Sequence, residues 1–194
     1  AQTAEDFYRG KTISVVVFGD PGSSYDVYAR ALTRHMPNFI PGKPAMIVRN
    51  IPGAGGLAAT RYLYNTAPKD GTVFGTVTRG IPFDPLFGAT ALQFDPLQFV
   101  WLGSMSKETT LYVSWRTSQV KTALDLMQKD LLLAGTGAGA DSEVISHALN
   151  GLLGTRIKLI SGYPGASQAA LALERGEIEG LYWTWNGINT TQLT

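Results

Sequence analysis

Twice in this chain an apolar strand runs into a glycine-rich bend and then into an amphipathic helix, and this repeated unit restricts the fold more than any other feature. The first bend is Gly19-Asp20-Pro21-Gly22-Ser23-Ser24-Tyr25-Asp26, after the apolar run Ile13 to Phe18. The second is Gly135-Thr136-Gly137-Ala138-Gly139-Ala140-Asp141-Ser142, after Leu131 to Ala134. A strand that feeds a helix through a short bend belongs to a βαβ unit, whose right-handed crossover leaves its strands parallel. Each bend also places backbone N–H groups at the positive end of a helix dipole, where anions are held.

Apolar spacing extends the pattern in both directions. After Ile13 to Phe18, the positions Tyr25, Tyr28, Ala29, Leu32 and Met36 keep the i, i+3, i+4, i+7 rhythm of a helix that Pro37 ends. Ala45 to Val48 reads as a second strand, Pro52-Gly53-Ala54-Gly55-Gly56 turns into a helix through Tyr64, and Pro68-Lys69-Asp70-Gly71 precedes a strand from Val73 to Val77. The prolines at 82, 85 and 96 make Gly80 to Phe99 a loop with short helical turns, and the apolar runs Phe99 to Leu102 and Leu111 to Trp115 carry the chain onward. Thr122-x-x-Asp125 is a capping box, and Ile145, Ala148, Leu149 and Leu152 form a helical stripe that Gly154 stops. Strand Ile157 to Ile160, the turn Gly162-Tyr163-Pro164-Gly165, a helix from Ser167 to Arg175 and strand Ile178 to Trp183 complete a second βαβαβ series. The expected class is α/β with two lobes, 1–104 and 105–194, each a mainly parallel sheet flanked by helices. The sequence stops at Thr194, before a helix that should cover the last strand, so the second lobe reads as incomplete.

Composition narrows the function. The 16 basic residues balance 15 acidic ones without any basic stretch, so nucleic acid and direct membrane insertion are not expected partners. There is no cysteine, which excludes disulfides, thiolate metal sites and cysteine nucleophiles. The opening Ala1-Gln2-Thr3-Ala4 has the small, polar character left by signal cleavage, and export with the signal peptide removed is the expectation.

Several residues then become candidates for a ligand site. Ser23-x-x-Asp26 matches a capping box in which Asp26 folds back to the Ser23 N–H, while the backbone of Gly22, Ser23 and Ser24 stays available to a ligand at the carboxyl end of a parallel strand. Arg79 follows the strand Val73 to Thr78, where its guanidinium is placed to take a carboxylate in bidentate fashion. A helix terminus contributes only ~0.3 to 1 kcal/mol and micromolar affinity requires about 8 kcal/mol, so a charged partner, direct hydrogen bonds in a dewatered cleft or apolar walls must supply the rest. Trp183 suits core packing, whereas Tyr163 and Trp185 suit the wall of a cleft. His35 and His147 stand apart from carboxylates at metal spacing, so no metal site is expected. Gly135-x-Gly137-x-x-Ala140 loosely satisfies the dinucleotide pattern, which leaves a Rossmann-type nucleotide-dependent enzyme as the alternative. The end of the following strand, Ile160-Ser161-Gly162, lacks the carboxylate that would hold a ribose. No catalytic residue and no cofactor is expected.

Together, Phe7-Tyr8-x-Gly10-Lys11-Thr12-Ile13, Pro21 to Asp26, Asn50-x-Pro52-Gly53-Ala54-Gly55-Gly56, Ala67-Pro68-x-Asp70-Gly71 and Gly135 to Ser142 resemble the Bug family, the periplasmic solute-binding proteins of tripartite tricarboxylate transporters. The resemblance spans nearly the whole chain, and Asn-x-Pro-Gly-Ala-Gly-Gly is its most specific motif. It implies two α/β lobes that close on a di- or tricarboxylate or an aromatic acid and deliver it to membrane permease subunits. It further implies that Gly22 to Ser24 and the loop Gly137, Ala138, Gly139, Asp141 and Ser142 face the ligand, with Thr78 and Tyr163 lining the cleft. The family's Pro-Gly-Gly-Gly-Thr-Asp is Pro-Gly-Ser-Ser-Tyr-Asp here, and its Tyr-Lys-Gly is Tyr163-Pro164-Gly165. Family chains are roughly half as long again, so this one resembles a truncated member.

Overall fold

The computed structural model describes residues 2–87, 93–185 and 187–188. The middle of the proline-containing loop and the chain end at Thr194, on which the expectation of incompleteness rests, lie outside them. The chain divides into two compact units, Ala1–Thr78 with Ala91–Phe99 and Arg79–Thr90 with Val100–Thr194.

The first unit contains helix α1 (Ala4–Tyr8), strand β1 (Thr12–Val17), helix α2 (Ser24–His35), strand β2 (Ala45–Asn50), helix α3 (Leu57–Asn65) and strand β3 (Val73–Thr76). The strands form a three-stranded parallel sheet in the order β2-β1-β3. Because β1 is the middle strand with a helix on either face, Val15, Val16 and Val17 are all fully buried. Val15 and Val17 point toward Ala29 of α2, and Val16 packs with Ala59 and Leu63 of α3. A strand covered on both faces shows a near-continuous apolar run rather than alternation, and Ile13 to Phe18 reads so with Ser14 its one polar residue. Helix α2 ends at His35, and Pro37 sits in the 3-10 turn Met36–Phe39 that follows.

The second unit holds strands β4 (Thr110–Ser114) and β5 (Leu131–Gly135), helix α4 (Asp141–Leu153), strand β6 (Ile157–Ser161), helix α5 (Ala166–Glu174) and strand β7 (Gly180–Thr184). Its sheet order is β4-β7-β5-β6, with β5 parallel to β6 and β7, and β4 antiparallel to β7. Set β4 aside and the second βαβαβ series has the topology of the first, its earliest strand flanked by the other two. Leu131 and Leu133 of β5 join Val120, Leu126 and Ile157 in one core, whose fringe includes Leu149 of α4. Ala134 meets Ala169, Ala170, Leu173 and Ile178 in the other.

The apolar run Phe99 to Leu102 takes up no regular secondary structure, and Val100 and Leu102 are 87% and 71% exposed. One expectation needs correcting. The buried face of α4 is largely polar, formed by Ser142, Glu143, Val144 and Ser146, while Leu152 of the expected stripe is exposed. The Thr122-x-x-Asp125 box does form: Asp125 accepts from the Thr122 N–H at 2.9 Å and its own N–H donates to Thr122 Oγ1 at 3.3 Å, around the 3-10 turn Leu124–Met127. Among the described residues, no helix is long and apolar enough to cross a membrane.

Candidate functional site

In each unit the sheet order reverses at the central strand, and loops leaving a central strand and its neighbour on opposite sides open a crevice at the carboxyl ends. In the first unit these ends carry Gly19 to Ser24 after β1, Ile51 to Gly56 after β2, and Thr78 after β3. Thr78 is buried. Gly56 explains why the motif after β2 ends in glycine: its φ is +100°, and a Cβ there would lie 2.7 Å from Thr78 Cγ2 and 3.2 Å from Phe18 Cδ2.

The first bend is organised by Asp26, which is 1% exposed. Its carboxylate accepts from the Gly22 N–H at 2.8 Å, from Arg30 Nε at 2.7 Å and Nη2 at 3.1 Å, and from Asn50 Nδ2 at 2.9 Å. Asn50 Nδ2 also donates to the Gly19 carbonyl at 2.8 Å, so β2 ties down both ends of the bend. The Arg30 guanidinium is the main reason that Asp26 is held down to about 2; burial opposes it, and the Gly22 and Asn50 donors add to it. This corrects the expected cap. Ser23 does cap α2, its Oγ accepting from the Asp26 N–H at 3.4 Å, but the aspartate folds back to Gly22, and the Ser23 N–H donates to the Asp20 carbonyl at 3.0 Å. The amides of Gly22 and Ser23 are therefore satisfied within the bend. Asp26 shapes the bend, its carboxylate committed to these donors, and Ser24, at the first position of α2, stays exposed.

The second unit gathers the remaining candidates at the carboxyl ends of β5, β6 and β7. Within the bend, Ala138 is exposed and Gly139 buried. The Gly137 N–H donates at 3.0 Å to Glu143 Oε1, a buried carboxylate from the first turn of α4. Glu143 also lies close over the end of β5: a Cβ on Gly135 would stand 2.5 Å from Oε1, so a side chain there would push the carboxylate aside. Asp141 accepts from the Gly80 N–H at 2.8 Å and from Arg79 Nε at 2.8 Å, and Arg79 Nη1 donates to Thr110 Oγ1 at 2.8 Å. Arg79 and Asp141, both expected at the ligand, thus bond to each other. Ser142 Oγ differs from all of these: it is buried and finds no hydrogen-bond partner, at the second residue of a helix whose N-cap, Ala140, makes no side-chain cap.

Tyr163 packs against the Ala169 to Leu173 core, and its N–H donates at 3.2 Å to the Gly135 carbonyl, which brings it beside the bend. Trp185, just past β7, is 52% exposed, with its N–H bonded to the Thr109 carbonyl at 2.9 Å. Behind the site, the Tyr112 hydroxyl and Ser146 Oγ are 3.0 Å apart, and burial pushes the Tyr112 phenol up to about 12. Sequence reasoning missed Arg30, Asn50 and Glu143. Arg30 was available from its i, i+4 spacing to Asp26. Asn50 opens the Asn-x-Pro-Gly-Ala-Gly-Gly motif, but nothing there marks its partners Gly19 and Asp26, and nothing marks that Glu143 reaches back to Gly137.

Parallel strands with both glycine bends at the carboxyl ends of central strands define a pair of α/β units of like topology. The sequence matches no protein-family model and no curated protein. Solved structures do resemble it. The periplasmic binding protein BugD superposes with a TM-score of 0.70 at 19% identity, covering 96% of this chain and 63% of that one. MatC from Rhodopseudomonas palustris with bound malate gives 0.70 at 22% identity, covering 90% and 60%. An R. palustris protein with adipate gives 0.66 at 17% identity, covering 93% and 61%. The chain has the fold of Bug-type periplasmic binding proteins, and it spans about three fifths of the length of these chains.

Proposed function

We propose that this chain is a periplasmic solute-binding protein of the tripartite tricarboxylate transporter kind, which captures a small organic carboxylate for delivery to membrane permease subunits and catalyses nothing. The observation that carries this reading is Ser142 Oγ, a buried hydroxyl without a partner at the amino terminus of a helix thirteen residues long. Leaving a hydroxyl so costs about 1–3 kcal/mol, and an incoming acceptor recovers it. A carboxylate is the acceptor that a helix amino terminus favours. The malate and adipate in the resembling structures support the same chemistry. In this reading the second unit meets the ligand through Ala138, Gly139, Ser142, Tyr163 and Trp185, and the first unit, taken by itself, offers Ser24 and Thr78.

The nucleotide-dependent alternative gains nothing from the geometry. Gly137 stands where a dinucleotide pattern offers its amide to pyrophosphate, and here that amide is taken by Glu143. The end of β6 is Ser161-Gly162, with no carboxylate for a ribose.

Ser142→Ala separates structure from binding. Removing an unsatisfied hydroxyl should leave the melting temperature unchanged or slightly raised, while the dissociation constant for malate, measured by calorimetry, rises about tenfold, equivalent to about 1.4 kcal/mol. An unchanged constant would take Ser142 out of the site and remove the main support for this reading.

A further inference from the structure

We infer that Asp141 is a specificity-determining residue of the proposed carboxylate site, setting how much negative charge a ligand can bring to the amino terminus of α4. The inference rests on the carboxylate reading above and concerns only residues of the second unit. Among the described residues, three charged side chains stand at this terminus: Arg79, Asp141 and Glu143. Asp141, 13% exposed at its side chain, holds the Arg79 guanidinium through Nε and the Gly80 amide through its other oxygen. Glu143 holds the Gly137 amide. One cation, paired with Asp141, thus stands against two carboxylates in the first turn, and the helix end itself supplies only about half a positive charge.

Arg79 taken by itself suggests a strongly cationic clamp, and its pairing with Asp141 removes most of that attraction. What remains for the ligand is a neutral donor, Ser142 Oγ, beside a helix terminus that has already spent much of its field on its own first-turn acids. Such a site receives one carboxylate well. Each further negative charge meets Asp141 and Glu143 across a partly buried, weakly screening medium, where like charges repel more than in water. Asp141→Asn makes the terminus more positive by one unit and keeps an oxygen for the Gly80 N–H. Arg79→Gln makes it more negative by one unit.

The test is calorimetric titration of the whole chain with malate and with citrate, at low salt and at about 1 M salt, where the Debye length falls to about 3 Å. Asp141→Asn should shift the citrate-to-malate affinity ratio at least about tenfold toward citrate. Arg79→Gln should shift it by a similar factor toward malate, and both shifts should shrink in high salt. If Asp141→Asn does not fold, the Arg79→Gln ratio decides alone. A ratio unchanged in the folded variants, or both acids weakened equally at either salt, would overturn the inference and leave the carboxylate reading standing. Failure of the wild-type chain to bind either acid would overturn both.

Discussion

Replacing Asp26 by Asn should lower the folding stability by about 2–3 kcal/mol at neutral pH, the free energy of a carboxyl whose pKa falls about two units on folding. The side chain is buried, and both oxygens are committed to donors from three segments: the bend, α2 and β2. An amide of the same shape offers one acceptor and turns an NH2 toward either the Gly22 N–H or the Arg30 guanidinium, so donor meets donor. The same prediction has a pH signature. With the folded value lowered to about 2, the carboxylate contributes its full stabilisation above the unfolded value near 4 and loses it as pH falls through about 2. Urea unfolding of both proteins across this range should show a large gap at neutral pH that closes toward pH ~2. A gap that stayed constant would mean that Asp26 acts through its shape and not its charge.

Gly56→Ala should cost about 2–4 kcal/mol, combining left-handed backbone strain with overpacking against neighbours that cannot yield easily. The added methyl would sit 2.7 Å from Thr78 Cγ2 and 3.2 Å from the Phe18 ring, so either the turn into α3 or these buried and half-buried side chains must shift. An internal control exists in Gly151, which is inside α4 with open space where its Cβ would be. Gly151→Ala should stabilise by about 0.5–1 kcal/mol through helix propensity alone. Denaturation midpoints of the two variants on opposite sides of the wild type would confirm the distinction. Equal effects would mean that the contact at Gly56 relaxes without strain.

Both βαβαβ series were legible because their central strands are covered on two faces, which writes β5 as an apolar run and β1 as one interrupted only by Ser14 after Ile13, and because glycine and proline punctuate the turns. The antiparallel pairing of β4 with β7 was not legible: Leu111 to Trp115 is visibly apolar, but local pattern carries no information on which distant strand it meets. Apolar periodicity also failed on α4, where Ser142, Glu143 and Ser146 face inward and Leu152 and Leu153 face outward. Polar burial follows partners, and partners are three-dimensional. The same limit applies to the candidate site. Glycine bends at helix starts were readable, but that Asp26 and Glu143 reach back to occupy the Gly22 and Gly137 amides was not, because a capping pattern does not specify which N–H its acid will choose.

The central claim, that this chain binds small organic acids and not nucleotides, is tested most directly by its thermal unfolding in the presence of malate, adipate and NAD. A ligand at about a hundred times its dissociation constant adds ~2.7 kcal/mol to the folded state and raises the melting temperature accordingly. The account predicts protection by at least one of the acids and none by NAD. Protection by NAD with indifference to both acids would contradict it.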